Sequence, residues 1–134
     1  ICRDELKPDY RFMIKQRGAM MAKGWLLGIQ FEELFQNHLF YDMAAQCNEM
    51  AAILRKGIEE CGYSFLSDSM TNQLFPILPD AVINTLSNDF LFSIQERGTN
   101  GSSAIRLVTS WATKEDACRA FVAALQTCKA TLQD

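Results

Sequence analysis

The spacing of apolar residues between positions 40 and 61 constrains the fold more than any other feature of the chain. Phe40, Ala44, Cys47, Ala51, Leu54, Ile58 and Cys61 follow one another by four, three, four, three, four and three residues. An α-helix repeats every 3.6 residues, so these side chains form one apolar stripe over about six turns. Gly62 comes next, where a left-handed residue commonly ends a helix. The heptad-like spacing also suits a coiled coil, but the small residues and the single run favour a helix laid on a sheet. The remainder of the chain is therefore expected to supply that sheet.

After Gly62 the period changes. "TNQLFPIL" (71–78) predicts a strand in which Pro76 marks an edge or a bulge, because proline donates nothing to a ladder. "PDAVINTL" (79–86) predicts a short helix opened by a proline. "DFLFSIQ" (89–95) alternates, with Phe90, Phe92 and Ile94 on one face. The turn-rich "ERGTNGSS" leads into "SSAIRLVTSWAT" (102–113), so these two strands are expected to pair as a hairpin. Thr113 to Asp116 resembles a capping box, and Ala117, Phe121, Leu125, Cys128 and Leu132 recur at helical spacing. Upstream, residues 9 to 22 predict a helix with Pro8 just before it, interrupted near Gly18 and Gly24. "WLLGIQFEELF" then runs to Phe35 as a helix apolar on most faces, which suits burial in a larger body or against another subunit. The summed expectation is an α+β chain: a small, mostly antiparallel sheet with helices packed on one face, preceded by helices.

Composition removes several classes of function. At 134 residues, 49% hydrophobic and 22% charged, the chain has the size and make-up of one globular domain and not of a disordered segment. Its net charge of −3 and the lack of a basic stripe with interleaved aromatics argue against nucleic acid as a partner. The longest strongly apolar stretch, "GWLLGIQF", is too short to cross a bilayer, so no membrane role is expected. Cys2, Cys47, Cys61, Cys118 and Cys128 are odd in number and hold no C-x-x-C pair, which reads as reduced thiols in a cytoplasmic protein. The chain opens with Ile1, and "ICRDELKP" reads as a strand end running into a turn, as in a piece of a longer protein.

Few residues could carry chemistry. His38, in "FQNHLFYD", has no nucleophile turn nearby and reads as a capping or surface histidine. No metal-ligand spacing or phosphate-binding glycine loop is present. Lys15 and Arg17 in "IKQRG", followed by Lys23, fit a solvated basic face, or an anion contact beside Gly18. Arg106 is the sharper candidate. Strand alternation puts Ile105, Leu107, Thr109 and Trp111 on one side, and Ala104, Arg106, Val108 and Ser110 on the other. The first set suits packing under helices, and the second is small apart from the arginine. On its own, Arg106 fits either a surface or salt-bridged arginine, or a bidentate contact to a carboxylate.

Taken together, "IKQRGAMMAKGWLLGIQFEELF", "TNQLFPILP" and "IRLVTSWAT" resemble, in order and over nearly the whole chain, the C-terminal part of threonine aldolase-like, β-eliminating lyases. These are pyridoxal-phosphate enzymes of the aspartate-aminotransferase fold type (fold type I). The resemblance implies that residues 1–35 end a large domain and supply connecting helices, and that 36–134 form the C-terminal small α+β domain. It also implies that the lysine forming the Schiff base with pyridoxal phosphate lies upstream; Lys7, Lys15, Lys23, Lys56, Lys114 and Lys129 do not stand in a matching context. Arg106 matches the arginine that grips the substrate α-carboxylate. Lys15 and Arg17 occupy a region where such enzymes place charged groups near the cofactor phosphate. The implied partners are the missing large domain, a small amino-acid substrate, and further copies in a homodimer or homotetramer. The implied reaction cleaves β-hydroxy-α-amino acids such as threonine to glycine and an aldehyde, and the piece alone is expected to be inactive. An aminotransferase or other eliminating enzyme of the same superfamily, or a non-catalytic helical interaction domain, are the alternatives.

Overall fold

A computed structural model describes residues 3–131. The chain divides into two units between Phe40 and Tyr41.

The first unit is built from short helices. Asp4–Leu6 forms a 3-10 turn, while the strand end expected at Ile1 and Cys2 lies outside the described residues. The helix expected over 9–22 is only α1, Tyr10–Gln16, because Gly18 adopts a left-handed φ of 69° and the chain turns there. Helix α2, Gly24–Phe35, starts at the second glycine and buries none of its residues. Trp25, Leu26, Leu27, Ile29, Phe31 and Phe35 are all exposed. Phe31 stacks on Phe35, and Phe35 tilts against Phe40 with centroids 5.1 Å apart. Between α2 and the next helix, Asn37 and His38 take left-handed φ of 50° and 62° within the turn Gln36–His38.

Helix α3 (Leu39–Glu60) belongs to the second unit from Tyr41 onward and lays its stripe on a sheet. Met50, Ala51, Leu54, Ile58 and Cys61 are buried. Each fully buried large aliphatic side chain contributes about 1.5–3 kcal/mol. The stripe is less covered toward its start, where Ala44 and Cys47 are half-buried and Phe40, its expected first member, is exposed. Gly62 ends the helix at a φ of 79°, with Gly62 N–H donating to the Glu59 carbonyl at 2.8 Å and Tyr63 N–H to Ile58 at 3.2 Å. That bond pair is a Schellman motif, which satisfies carbonyls the helix end would leave free.

The sheet is antiparallel and organised around β4, Ser102–Val108. Along one edge of β4 run β1 (Gln73–Leu74) and β2 (Ile77–Pro79); β3 (Ser93–Arg97) takes the other. Leu74 opposes Leu107 and Ile77 opposes Ala104, so β1 and β2 keep a single register and read as one strand interrupted at Pro76. Pro76 accepts a bond from Ile105 N–H at 3.0 Å but cannot return one, which opens the gap in the ladder. Beyond β2, Leu66 N–H donates to Phe75 and Ile77 N–H to Ser64, so only a short bridge borders the outer edge.

Helix α4 (Asp80–Leu86) contributes Val82, Ile83 and Leu86 to the core, and α5 (Glu115–Thr131) contributes Cys118, Phe121 and Leu125. Three expectations are corrected here. The strand placed at 89–95 begins at Ser93, because Phe90 and Phe92 pack against the core instead, Phe90 meeting Phe121 edge to face at 5.2 Å. The buried stripe of α5 runs through Cys118 and not Ala117, which is exposed; Leu132 lies outside the described residues. Thr113 does not cap α5: its hydroxyl accepts from Ser110 N–H at 2.8 Å and so braces the turn before the helix. Thr109, buried at the end of β4, donates its hydroxyl to the Cys47 carbonyl at 2.7 Å, while Asn72 Nδ2 donates to the Thr109 carbonyl at 2.7 Å. The first bond ties α3 to the sheet, and the second joins the segment before β1 to the end of β4.

Candidate functional site

All three core helices cover the same face of the sheet. Ile105, Leu107 and Thr109 point into that core and are buried. The alternation of β4 then turns Arg106 and Val108 to the opposite, open face, where both are exposed. This resolves the physical problem of a charged residue in an apolar strand. The guanidinium stays in water and incurs no desolvation penalty within this chain.

The register places a defined row across the open face. Ser93 on β3 is the direct partner of Arg106. On the other side, Phe75 lies opposite Arg106, bracketed by the pairs Leu74–Leu107 and Ile77–Ala104. The Arg106 side chain makes no hydrogen bond or ion pair among the described residues. An always-charged planar fork with all its donors free, held on a sheet, can take a carboxylate in two parallel bonds. One row along, Ala104 lies between Ile77 and Glu96. A cavity of about 200 Å³ opens there, with Asn100 and Ser102 also on its wall.

Ser93 was not singled out by sequence, although a signal existed. Placing Phe90, Phe92 and Ile94 on one face leaves Ser93 on the other. Its position opposite Arg106 depends on a register that shifts between Ile94 and Glu96, and an irregular ladder is not legible in a pattern of twos.

Lys15 lies in the last turn of α1 and Arg17 caps it, both in the first unit and both exposed. Residues two apart on a helix do not share a face. No lysine lines the cavity beside Ala104. His38 is exposed at the turn before α3. Cys47, Cys61, Cys118 and Cys128 are free thiols. Burial pushes the Cys61 and Cys118 thiols up, despite Lys129 near Cys61, so both are poor nucleophiles. Among the described residues no group of three or more His, Cys, Asp or Glu could hold a metal, and no helix is long and apolar enough to cross a membrane.

No protein-family model and no curated protein matches the chain. Among solved structures it is similar to the threonine aldolase of Leishmania major, at 50% identity and a TM-score of 0.82. That similarity covers 96% of this chain and 38% of the Leishmania enzyme's chain. With its helices on one face of an antiparallel sheet, the chain is a threonine aldolase-like C-terminal domain of α+β fold.

Proposed function

We propose that this chain is the C-terminal part of a pyridoxal-phosphate-dependent lyase that cleaves β-hydroxy-α-amino acids such as threonine to glycine and an aldehyde. Arg106 holds the substrate carboxylate. The observation that carries this reading is the unpaired guanidinium on the open face of a domain half identical to a threonine aldolase. Residues 1–35 close the large domain and connect it to the small domain at 36–134. The rest of the protein supplies the lysine and the main cofactor cradle, with Lys15 and Arg17 adding positive charge toward the phosphate. Pyridoxal phosphate, when bound there, supplies the electron sink for breaking a bond to the α-carbon. The contribution of this chain is orientation. A carboxylate fixed in two bonds by Arg106 can turn about few axes, which holds the bond to be broken in one attitude.

The exposed apolar side chains of α2 support docking on the large domain and on another copy in a homodimer or homotetramer. Four free thiols support a reducing, cytoplasmic setting. The fragment alone is inactive under this reading.

The test is the full-length protein with pyridoxal phosphate and L-threonine, assayed for glycine and acetaldehyde. A hydrogen-bonded contact to a charged group is worth about 1.5–3 kcal/mol, so Arg106→Ala should lower kcat/KM roughly 10- to 150-fold while cofactor affinity is kept. Release of a keto acid and ammonia instead of glycine would place the protein among the eliminating enzymes, and a keto acid formed only when a second keto acid is added to accept the amino group would place it among the aminotransferases.

A further inference from the structure

We propose that Ser93 is a second substrate-binding residue, donating a hydrogen bond to the same carboxylate that Arg106 grips. This rests on the carboxylate-clamp reading above and extends it to a residue outside the three blocks that resemble the lyases. Ser93 and Arg106 are direct partners across the β3–β4 ladder. Such partners hold their Cβ atoms about 4.5–5.5 Å apart on one face of the sheet. Both are exposed on the open face, and neither side chain has a hydrogen-bond partner among the described residues.

The chemistry of the row selects Ser93. A carboxylate has about four acceptor sites, and two parallel bonds from a guanidinium leave acceptor capacity to spare. Of the two residues opposite Arg106, Phe75 offers a hydrocarbon ring and Ser93 offers a hydroxyl donor. The next row carries Glu96, whose charge disfavours an anion and biases the carboxylate back toward Ser93. The register shift directly after Ile94 matters here. An irregularity of this kind re-aims the strand that carries it, leaving Ser93 aligned with Arg106 while the residues beyond it are displaced.

The experiment uses the full-length protein and steady-state cleavage of L-threonine, with Ser93→Ala, Ser93→Thr and Arg106→Ala measured side by side. Ser93 is exposed and its hydroxyl is unpaired among the described residues, so Ser93→Ala should leave thermal stability unchanged. The expected result is a KM raised about 5- to 20-fold in Ser93→Ala with kcat within about twofold, and a return toward the parent KM in Ser93→Thr, which restores the donor. A KM unchanged in Ser93→Ala but raised in Arg106→Ala would overturn the role of Ser93 and leave the clamp standing. A KM unchanged in both variants would overturn the clamp as well.

Discussion

Replacing Gly57 by alanine should loosen the helix pair that backs the sheet. A methyl built on Gly57 would stand 2.5 Å from Val122 Cγ1 and 3.0 Å from Val122 Cβ. Rotating Val122 moves its methyl groups but leaves Cβ in place, so α3 and α5 must part or their backbones shift. Overpacking of this kind costs about 1–3 kcal/mol. Alanine regains only about 0.8–1.0 kcal/mol over glycine in a helix interior. The clash wins, and in a unit of this size each net kcal/mol lowers the melting temperature by about 4–8 °C. Circular dichroism followed on heating measures the shift. The companion variant Val122→Ala removes the obstructing γ-methyls, so the double variant should be more stable than the sum of the singles by about 1 kcal/mol or more. A Gly57→Ala protein that melts at or above the parent temperature, with no coupling to Val122→Ala, would refute the close approach of the two helices.

Two further outcomes follow from burial. Burial holds the Cys61 and Cys118 thiols above their ordinary value of 9.0, so the folded state binds those protons more tightly than the unfolded chain. Stability from this source is complete below that value and falls as pH rises through it; melting temperature should decline above about pH 9, and less steeply in Cys118→Ala. A flat profile to pH 10.5, or an equal decline in the variant, would contradict this. The 134-residue chain by itself should associate through the exposed side chains of α2, and Trp25→Asn with Phe31→Asn should reduce that association in sedimentation velocity. A monomeric parent chain at about 100 µM would remove the support α2 gives to docking.

Most of the architecture was legible because its signals are local. The four-and-three spacing of α3 and the glycine after it specify a helix, its buried face and its end with little help from the rest of the chain. Alternation also put Arg106 and Ile105 on opposite sides of β4. What stayed illegible depends on distant partners. Phe90 and Phe92 have strand spacing, yet the core claims them before β3 begins. Thr113 has the form of a cap, but the Ser110 amide reaches its hydroxyl first. The α5 stripe begins at Cys118 instead of Ala117 because both suit a helix face, and only packing chooses between them; Phe121 and Leu125 are buried as their spacing requires. Of the candidate site, sequence located the guanidinium but not its neighbours. Those are set by a cross-strand register with a proline gap on one side and an irregularity on the other.

The central claim is that Arg106 serves a carboxylate. It is tested most directly by comparing L-threonine with L-threoninamide as substrates for the full-length protein and for Arg106→Gln. The parent should favour the carboxylate over the amide by roughly 10- to 150-fold in kcat/KM, from a charge-assisted contact worth about 1.5–3 kcal/mol. Arg106→Gln should erase that preference by losing activity on threonine while activity on the amide changes little. An unchanged preference in Arg106→Gln would contradict the account.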